Sequence, residues 1–194
     1  ERYLLTGDTR YQDLMRGYVH NYIELALDYL HAGLFDEADV LLQEAPSDDA
    51  MVGYYRGWCL ALASREAQAR EAFQVASNLS PDYCFPNRIE CVPALTTATA
   101  FNPSDGFAPY YLANFWYARK QYDDAIAAWE QARRINPDFP TIHRNLGLAY
   151  MNKRQDAQTS LASYEQAFTL DKTDARVFFE LDQLRKRLGT SNAE

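Results

Sequence analysis

The chain has 194 residues, 47% of them hydrophobic and 24% charged, which is an ordinary composition for a folded protein. A net charge of −8, with no Lys/Arg run longer than residues 185–187, disfavours nucleic acid as a partner. No stretch approaches the roughly 20 apolar residues of a spanning helix, so we expect no membrane segment or membrane partner.

The ends of the chain and its cysteines indicate where it works. Residue 1 is Glu rather than Met, so we expect either an excised segment or a processed form, which could contact other domains of a longer parent chain. The three cysteines lack C-x-x-C spacing, which disfavours a disulfide framework or a zinc site. We therefore expect a reducing, cytoplasmic compartment.

After a lead-in over residues 1–18, one pattern recurs along the chain: two amphipathic helices joined by a short turn. It occupies residues 22–45, 57–81, 110–137 and 145–172. Large apolar side chains in each copy predict a shared core, and small ones predict close approach of two helix axes. The fourth copy carries one extra residue in its inter-helix turn, near Gln155.

Residues 82–105 break the pattern. Pro81, Pro103 and Pro137 are spaced by 22 and then by 34 residues, so this segment has a second helix but lacks a first. Asn87 and Glu90 suggest a capping box that starts the helix near residue 88. Pro93 then either kinks the helix, at a cost of ~3 kcal/mol, or lies harmlessly in the first turn of a helix starting near Glu90. We expect the kinked helix.

The C-terminal part predicts a capping helix over residues 174–188, followed by a disordered tail at 189–194. One face of this helix is apolar, through Val177, Phe178, Leu181, Leu184 and Leu188, and the other face is charged. In chain order we predict helices near 10–31, 35–45, 50–63, 66–79, 88–101, 107–118, 122–135, 140–152, 158–170 and 174–187.

These copies resemble the tetratricopeptide repeat (TPR) family in their order of large, Leu, Gly/Ala, Tyr, Ala, Phe/Tyr, Ala and Pro. More loosely, the chain resembles the repeat-containing tail of long bacterial multidomain proteins. The resemblance implies an all-α fold of antiparallel helix pairs, stacked as a right-handed α-solenoid with an unpaired helix in the middle. It implies a single domain, 1–194, with repeats at 19–49, 50–83, 106–139 and 140–173 and a half-repeat at 84–105. Arg56 and Pro109 depart from the pattern, at a Leu and an aromatic place.

The resemblance also implies a groove lined by the first helix of each repeat. Its positions carry over to His20, Ile23, Leu27, Leu30 and His31; to Met51, Tyr54, Trp58, Ala61 and Leu62; to Phe107, Tyr110, Asn114, Tyr117 and Ala118; and to Thr141, Arg144, Leu148, Met151 and Asn152. Of the residues with which family members clamp a peptide carboxylate, only Asn114 and Arg144 are present. The groove is aromatic instead.

Catalytic chemistry has little support in the sequence. No nucleophile has an evident base beside it, and the single glycines form no phosphate loop. On one helix His20 and His31 would lie ~16 Å apart, too far to share a metal. We expect no enzyme, no cofactor and no metal.

We therefore predict a non-catalytic protein-interaction or scaffold module that takes a peptide or a partner helix in its groove. The alternatives are recognition of a small ligand or glycan by an aromatic cleft, and a structural tail that docks on its parent protein. The missing helix predicts such a cleft, and the residues predicted to bind are Tyr54, Trp58, Phe107, Tyr110, Asn114, Tyr117 and Arg144. Packing of the aromatic side chains between neighbouring helices is the structural alternative.

Overall fold

The computed structural model describes residues 13, 15–46 and 48–189, and over these the chain forms helices and no strand. The helices are α1 (Val19–His31), α2 (Phe35–Glu44), α3 (Ala50–Leu62), α4 (Glu66–Ala76), α5 (Cys91–Phe101), α6 (Phe107–Ala118), α7 (Tyr122–Ile135), α8 (Pro140–Ala149), α9 (Ala157–Leu170) and α10 (Ala175–Leu188). A π-helical turn, Tyr150–Arg154, continues α8. The fold is all-α and TPR-like, as predicted.

Two compact units divide the chain, Glu1–Ala108 and Pro109–Glu194. In the first unit α1 pairs with α2, α3 pairs with α4, and α2 also packs on α3. The half-repeat helix α5 packs mainly on α3 and less on α4. In the second unit α8 pairs with α9, while α7 packs on α8 and α10 packs on α9. The predicted single domain and its repeat boundaries stay predictions.

Glycines in the first helix of a pair receive large side chains from the second. A Cβ added at Gly147 would lie 2.7 Å from the ring of Tyr164, and one added at Gly57 would overlap the ring of Phe73. Because real Cβ atoms do not approach so closely, only glycine allows these two helix pairs to close.

A partly buried ion pair occurs at Arg56, which stands where the repeat pattern expects leucine. Its Nε donates a hydrogen bond to Oδ1 of Asp39 at 2.6 Å, and Asp39 is 6% exposed. The guanidinium therefore joins α3 to α2 by a charge-assisted hydrogen bond where leucine would have joined them by apolar contact.

Two helices, α1 and α5, begin later in the chain than predicted. The expected helix over 10–31 is wrong over residues 15–18, because a turn with positive φ at Arg16 and Gly17 precedes α1. Its first residues, like the lead-in up to residue 12, lie outside the described residues. The kinked helix is also wrong: α5 begins at Cys91, which places Pro93 in its first turn, where no hydrogen bond is lost.

The capping helix buries fewer residues than predicted. Val177, Leu181 and Leu184 are buried, but Phe178 is 53% exposed and Leu188 is 38% exposed. The reason is that the face turned to α9 is narrower than the apolar stripe in the sequence. Gly189 ends the helix with φ +70°, and the remainder of the predicted tail, 190–194, lies outside the described residues.

The extra residue of the fourth copy is absorbed by the π-helical turn. The wider helical turn ends at Gln155, whose φ of +56° reverses the chain before Asp156 caps α9. Such π turns insert one residue without breaking the helix and occur often at functional sites. Here it lies beside the groove of the second unit.

Candidate functional site

Residues 82–90, here called the strap, replace the missing first helix of the half-repeat. The strap belongs to the first unit and contacts α1 and the start of α3, the first helices of the two helix pairs in that unit. Arg88 Nη2 lies 3.1 Å from Glu24 Oε2 on α1. The thiol of buried Cys84 lies 3.7 Å from Asp49 Oδ1, at the start of α3. Ile23 and Met51, groove positions near the start of α1 and α3, are buried and line a cavity together with residues of the strap.

A small cavity remains beneath the strap, with a volume of about 70 Å³. Its walls come from the groove side, through His20, Ile23, Asp49, Met51 and Tyr55, and from the strap, through Tyr83, Phe85, Pro86, Asn87 and Arg88. Burial raises the pKa of Tyr55, so its hydroxyl stays neutral in this floor. The cavity is about half the size of one that holds benzene, so it fits one small side chain.

Three large apolar side chains of the strap point into solvent. Tyr83 is 92% exposed, Phe85 is 73% exposed and Ile89 is 61% exposed. Tyr83 also has φ +60°, a left-handed backbone conformation that a bulky residue adopts rarely and at a cost. The first unit thus holds an aromatic residue in a strained, exposed position.

The second unit has an open groove, which we call the second-unit groove. It is a cavity of about 360 Å³ lined by Leu148, Met151, Asn152, Tyr164, Phe179, Glu180, Gln183, Leu184 and Arg187. The first three residues stand at family groove positions on α8 and the π-helical turn. Phe179 is 60% exposed, which leaves an aromatic ring free to contact a ligand.

An ion-pair cluster borders this groove. Arg144 Nε and Nη2 donate to the two carboxylate oxygens of Glu180, at 2.8 and 2.5 Å, and Arg176 Nε donates to Oε1 at 3.1 Å. Burial pushes the pKa of Glu180 upward, but the hydrogen bonds and charges of Arg144 and then Arg176 hold it below its usual value. Arg144 is thus bound to a carboxylate of its own chain.

The predicted binding residues of the first unit lie in different surroundings. Tyr54 is fully buried and its hydroxyl donates to Asp105 Oδ2 at 2.8 Å. Trp58 and Phe107 are half-buried. Trp58 and Phe107 therefore keep some exposed surface that a ligand could touch. Tyr54 has none.

Those of the second unit take part in contacts between helices. Tyr110 packs its ring edge-on against Phe139, and Tyr117 packs against Tyr122 and Trp129. The Trp129 indole donates to Asn114 Oδ1 at 3.1 Å. These contacts match the packing alternative for the aromatic residues. Binding by the predicted residues, and the cleft itself, stay predictions.

Sequence reasoning missed the contribution of α10 to the groove. Shifting the five fourth-copy groove positions by 35 residues, to allow for its extra residue, places Arg176, Phe179, Gln183, Lys186 and Arg187 at groove positions. Three of these five line the cavity, whereas Arg176 binds Glu180 and Lys186 binds Asp182. The signal was therefore present, but it requires α10 to be treated as a first helix rather than only as a cap.

The part of the chain that the structure describes contains no group of three or more His, Cys, Asp or Glu that could hold a metal ion. Over those same residues, no helix combines the length and apolarity needed to cross a membrane. His143 is a buried residue, and its Nε2 lies 2.6 Å from the Pro137 carbonyl oxygen.

Comparison with known proteins gives one family match and several similar solved structures. Residues 113–154 match a family described as TPR repeat. Among solved structures, "MamA MSR-1 C2" is similar at 16% identity, with 91% of this chain and 88% of that chain covered and a TM-score of 0.45. The first TPR of Spaghetti (RPAP3) bound to an HSP90 peptide is 15% identical, over 74% and 96%, with a TM-score of 0.47. YrrB, described as a TPR protein with an unusual peptide-binding site, is 15% identical, over 90% and 97%, with a TM-score of 0.42.

Proposed function

We propose that this chain, whose residues 113–154 match the TPR repeat family, is a non-catalytic interaction module that binds an extended protein segment in its second-unit groove. The observation that carries the proposal is the open cavity at family groove positions, with Phe179 exposed in its wall. The cavity volume of about 360 Å³ lies within the range of ligand pockets. It accommodates a few side chains of a peptide rather than a folded domain.

The composition of the groove defines the ligand further. Leu148, Met151 and Phe179 offer an apolar wall, and an aromatic ring with only two rotatable bonds loses little entropy when it anchors a partner. Asn152 and Gln183 add amide groups that bind a peptide backbone. An extended segment with one or two apolar side chains fits this wall.

The charges of the groove favour an acidic group on the ligand. Glu180 is already neutralised by Arg144 and Arg176. Arg187 lines the same cavity and forms no ion pair with any described residue. A ligand carboxylate beside Arg187 would accept a charge-assisted hydrogen bond from its guanidinium.

The test is a selection of peptides from a displayed random library on the whole chain, followed by titration calorimetry with variants. Phe179→Ala is expected to weaken the selected peptides about tenfold or more, as loss of an aromatic anchor does. Phe178→Ala is the matched control, because Phe178 is its neighbour, is similarly exposed and lies outside the cavity. Arg187→Gln is expected to weaken acidic peptides more than neutral ones.

Equal losses in the two phenylalanine variants would contradict groove binding. If no peptide is selected while a glycan array gives binding that requires Phe179, the glycan alternative replaces the peptide proposal. Binding only to the remaining part of a longer parent chain would favour the structural role.

A further inference from the structure

We infer that the strap, residues 82–90, is a second docking surface of this protein, made for a basic amphipathic segment of a partner protein. This goes beyond the proposed groove and concerns a different unit of the chain. Its apolar part is the set of exposed side chains, Tyr83, Phe85 and Ile89. Exposed apolar side chains are ordinary when scattered singly, but these three lie within seven residues of one loop, and Tyr83 and Phe85 border the same cavity.

The backbone of the strap supports a presenting role. Tyr83 adopts φ +60° although almost its whole side chain is exposed, so no burial of its ring offsets the cost of this conformation. The strap is held from below by buried Cys84 and by the ion pair of Arg88 with Glu24. The result is an anchored segment that keeps two aromatic rings on the outside.

The small cavity provides a recess next to these two rings. Tyr83 and Phe85 stand at its rim, and Ile23 and Met51 are in its floor. A volume of about 70 Å³ takes one small apolar side chain. A partner helix could insert such a side chain while its apolar face covers the two rings, the arrangement of anchors expected at an interface.

The charge of the first unit identifies the partner as basic. Residues 1–108 contain 7 Lys and Arg against 16 Asp and Glu, a net charge of −9, whereas residues 109–194 contain 12 against 11, a net charge of +1. All of the excess acidity is therefore in the unit that carries the strap. The strap itself contains Asp82 and Glu90, and Asp49 lines the cavity beneath it, while the one cation of the strap, Arg88, is already paired with Glu24.

The same charge argues against another copy of this unit as the occupant. Two first units facing each other through their straps would bring together two surfaces of the same sign, which opposes association. A partner with Lys or Arg flanking an apolar face gains attraction where a second copy meets repulsion. The interaction should weaken as salt rises, because the flanking charges are exposed.

The experiment uses the whole chain and a fluorescein-labelled helical peptide of alternating Leu and Lys blocks, with a peptide carrying Glu in place of Lys as the reverse-charge probe. Fluorescence anisotropy is expected to show binding of the Lys peptide alone. Phe85→Ser and Tyr83→Asn are expected to weaken it about tenfold, as removal of an anchor does. Asparagine tolerates the left-handed backbone at position 83, so this variant retains the strap conformation.

Val75→Ser is the matched control, because Val75 is a 57% exposed apolar residue on α4 of the same acidic unit. The affinity of Val75→Ser for the Lys peptide should remain within twofold of wild type. Circular dichroism should show that all three variants are folded. Equal affinities of all variants for the Lys peptide would mean that binding is general charge attraction, and this would overturn the inference. Failure of the Lys peptide to bind would overturn it too. Concentration-dependent dimerisation that disappears in Phe85→Ser would assign the surface to a second copy and overturn it as well.

Discussion

The hydroxyl of Tyr54 donates a hydrogen bond of 2.8 Å to Oδ2 of Asp105, and both side chains are buried. The other carboxylate oxygen, Oδ1, accepts from the backbone N–H groups of Phe107 and Ala108, at 2.8 and 3.1 Å. Asp105 therefore caps the start of α6, and Tyr54 orients the cap. A residue that the family pattern assigns to the groove thus supports the helix that follows the half-repeat.

Removing this hydroxyl should destabilise the protein without affecting a ligand contact. Tyr54→Phe leaves one oxygen of buried Asp105 without its side-chain donor, which is expected to cost ~1–3 kcal/mol in free energy of unfolding. Tyr83→Phe is the control, because its hydroxyl is exposed and should matter by less than ~0.5 kcal/mol. Urea denaturation measures both, and equal stabilities would show that the Tyr54 hydrogen bond contributes nothing.

Asp105 should also give the protein a pH-dependent stability term. Burial raises its pKa above the usual 3.8, and the hydrogen bonds from Tyr54, Ala108 and Phe107 offset this only in part. The folded state therefore binds this proton more tightly than the unfolded state, so this group lowers stability as pH rises from about 4 through the raised pKa. Relative to Asp105→Asn, the wild type should gain stability as the pH falls from 7 towards 4. Urea melts at pH 7 and pH 4 measure the difference in free energy of unfolding between the wild type and Asp105→Asn. A difference that is the same at both pH values would contradict the prediction.

The sequence contained enough to place most helices but not the surface between them. Predicted helices such as 107–118 and 122–135 coincide with α6 and α7, because apolar periodicity and closing prolines are local signals. The predicted starts of α1 and α5 are wrong. Helix propensity allows a helix to start at more than one residue, and tertiary packing selects among these starts. The preference for a kink at Pro93 underestimated how readily proline is accommodated in a first turn.

The candidate sites show the same division. Leu148, Met151 and Asn152 could be assigned to a groove from the repeat alone, and they line the second-unit groove. The position of the strap beside the starts of α1 and α3 could not be foreseen, because the strap has no periodic pattern. Its position depends on long-range contacts such as Arg88 with Glu24.

Close helix contacts in the second unit predict which alanines tolerate enlargement. Ala125 and Ala132 on α7 are fully buried, whereas Ala127 on the same helix is exposed. Ala125→Leu and Ala132→Phe are expected to cost ~1–3 kcal/mol, since extra methylenes force side chains and backbone apart. Ala127→Leu should be nearly neutral, and it controls for the change in hydrophobicity. If denaturant melts show all three equally tolerated, the contact surface assigned to α7 is wrong.

The capping helix tests the difference between an apolar pattern and actual burial. Leu181 is 2% exposed and belongs to the cluster with Tyr164 and Leu184 that seals α9, whereas Phe178 on the same helix is 53% exposed. Leu181→Ala is expected to cost ~2–5 kcal/mol, because it leaves a cavity in that cluster. Phe178→Ala should cost far less despite its larger side chain, because more than half of that side chain is already exposed, although its ring packs against Phe168.

Removing the whole helix should have the largest effect. A chain ending at Lys172 exposes Tyr164, Met151, Leu161 and Phe168 together, because α10 is the neighbour that covers them. An end unit of a repeat protein without its cap presents a continuous apolar face, so we expect loss of helical circular dichroism and aggregation in light scattering. Thermal melts of the two point variants set the scale for this loss. A Phe178→Ala loss in melting temperature as large as that of Leu181→Ala would place the buried face of α10 elsewhere. A truncated chain that remains monomeric with an unchanged melting temperature would show that α9 needs no cap.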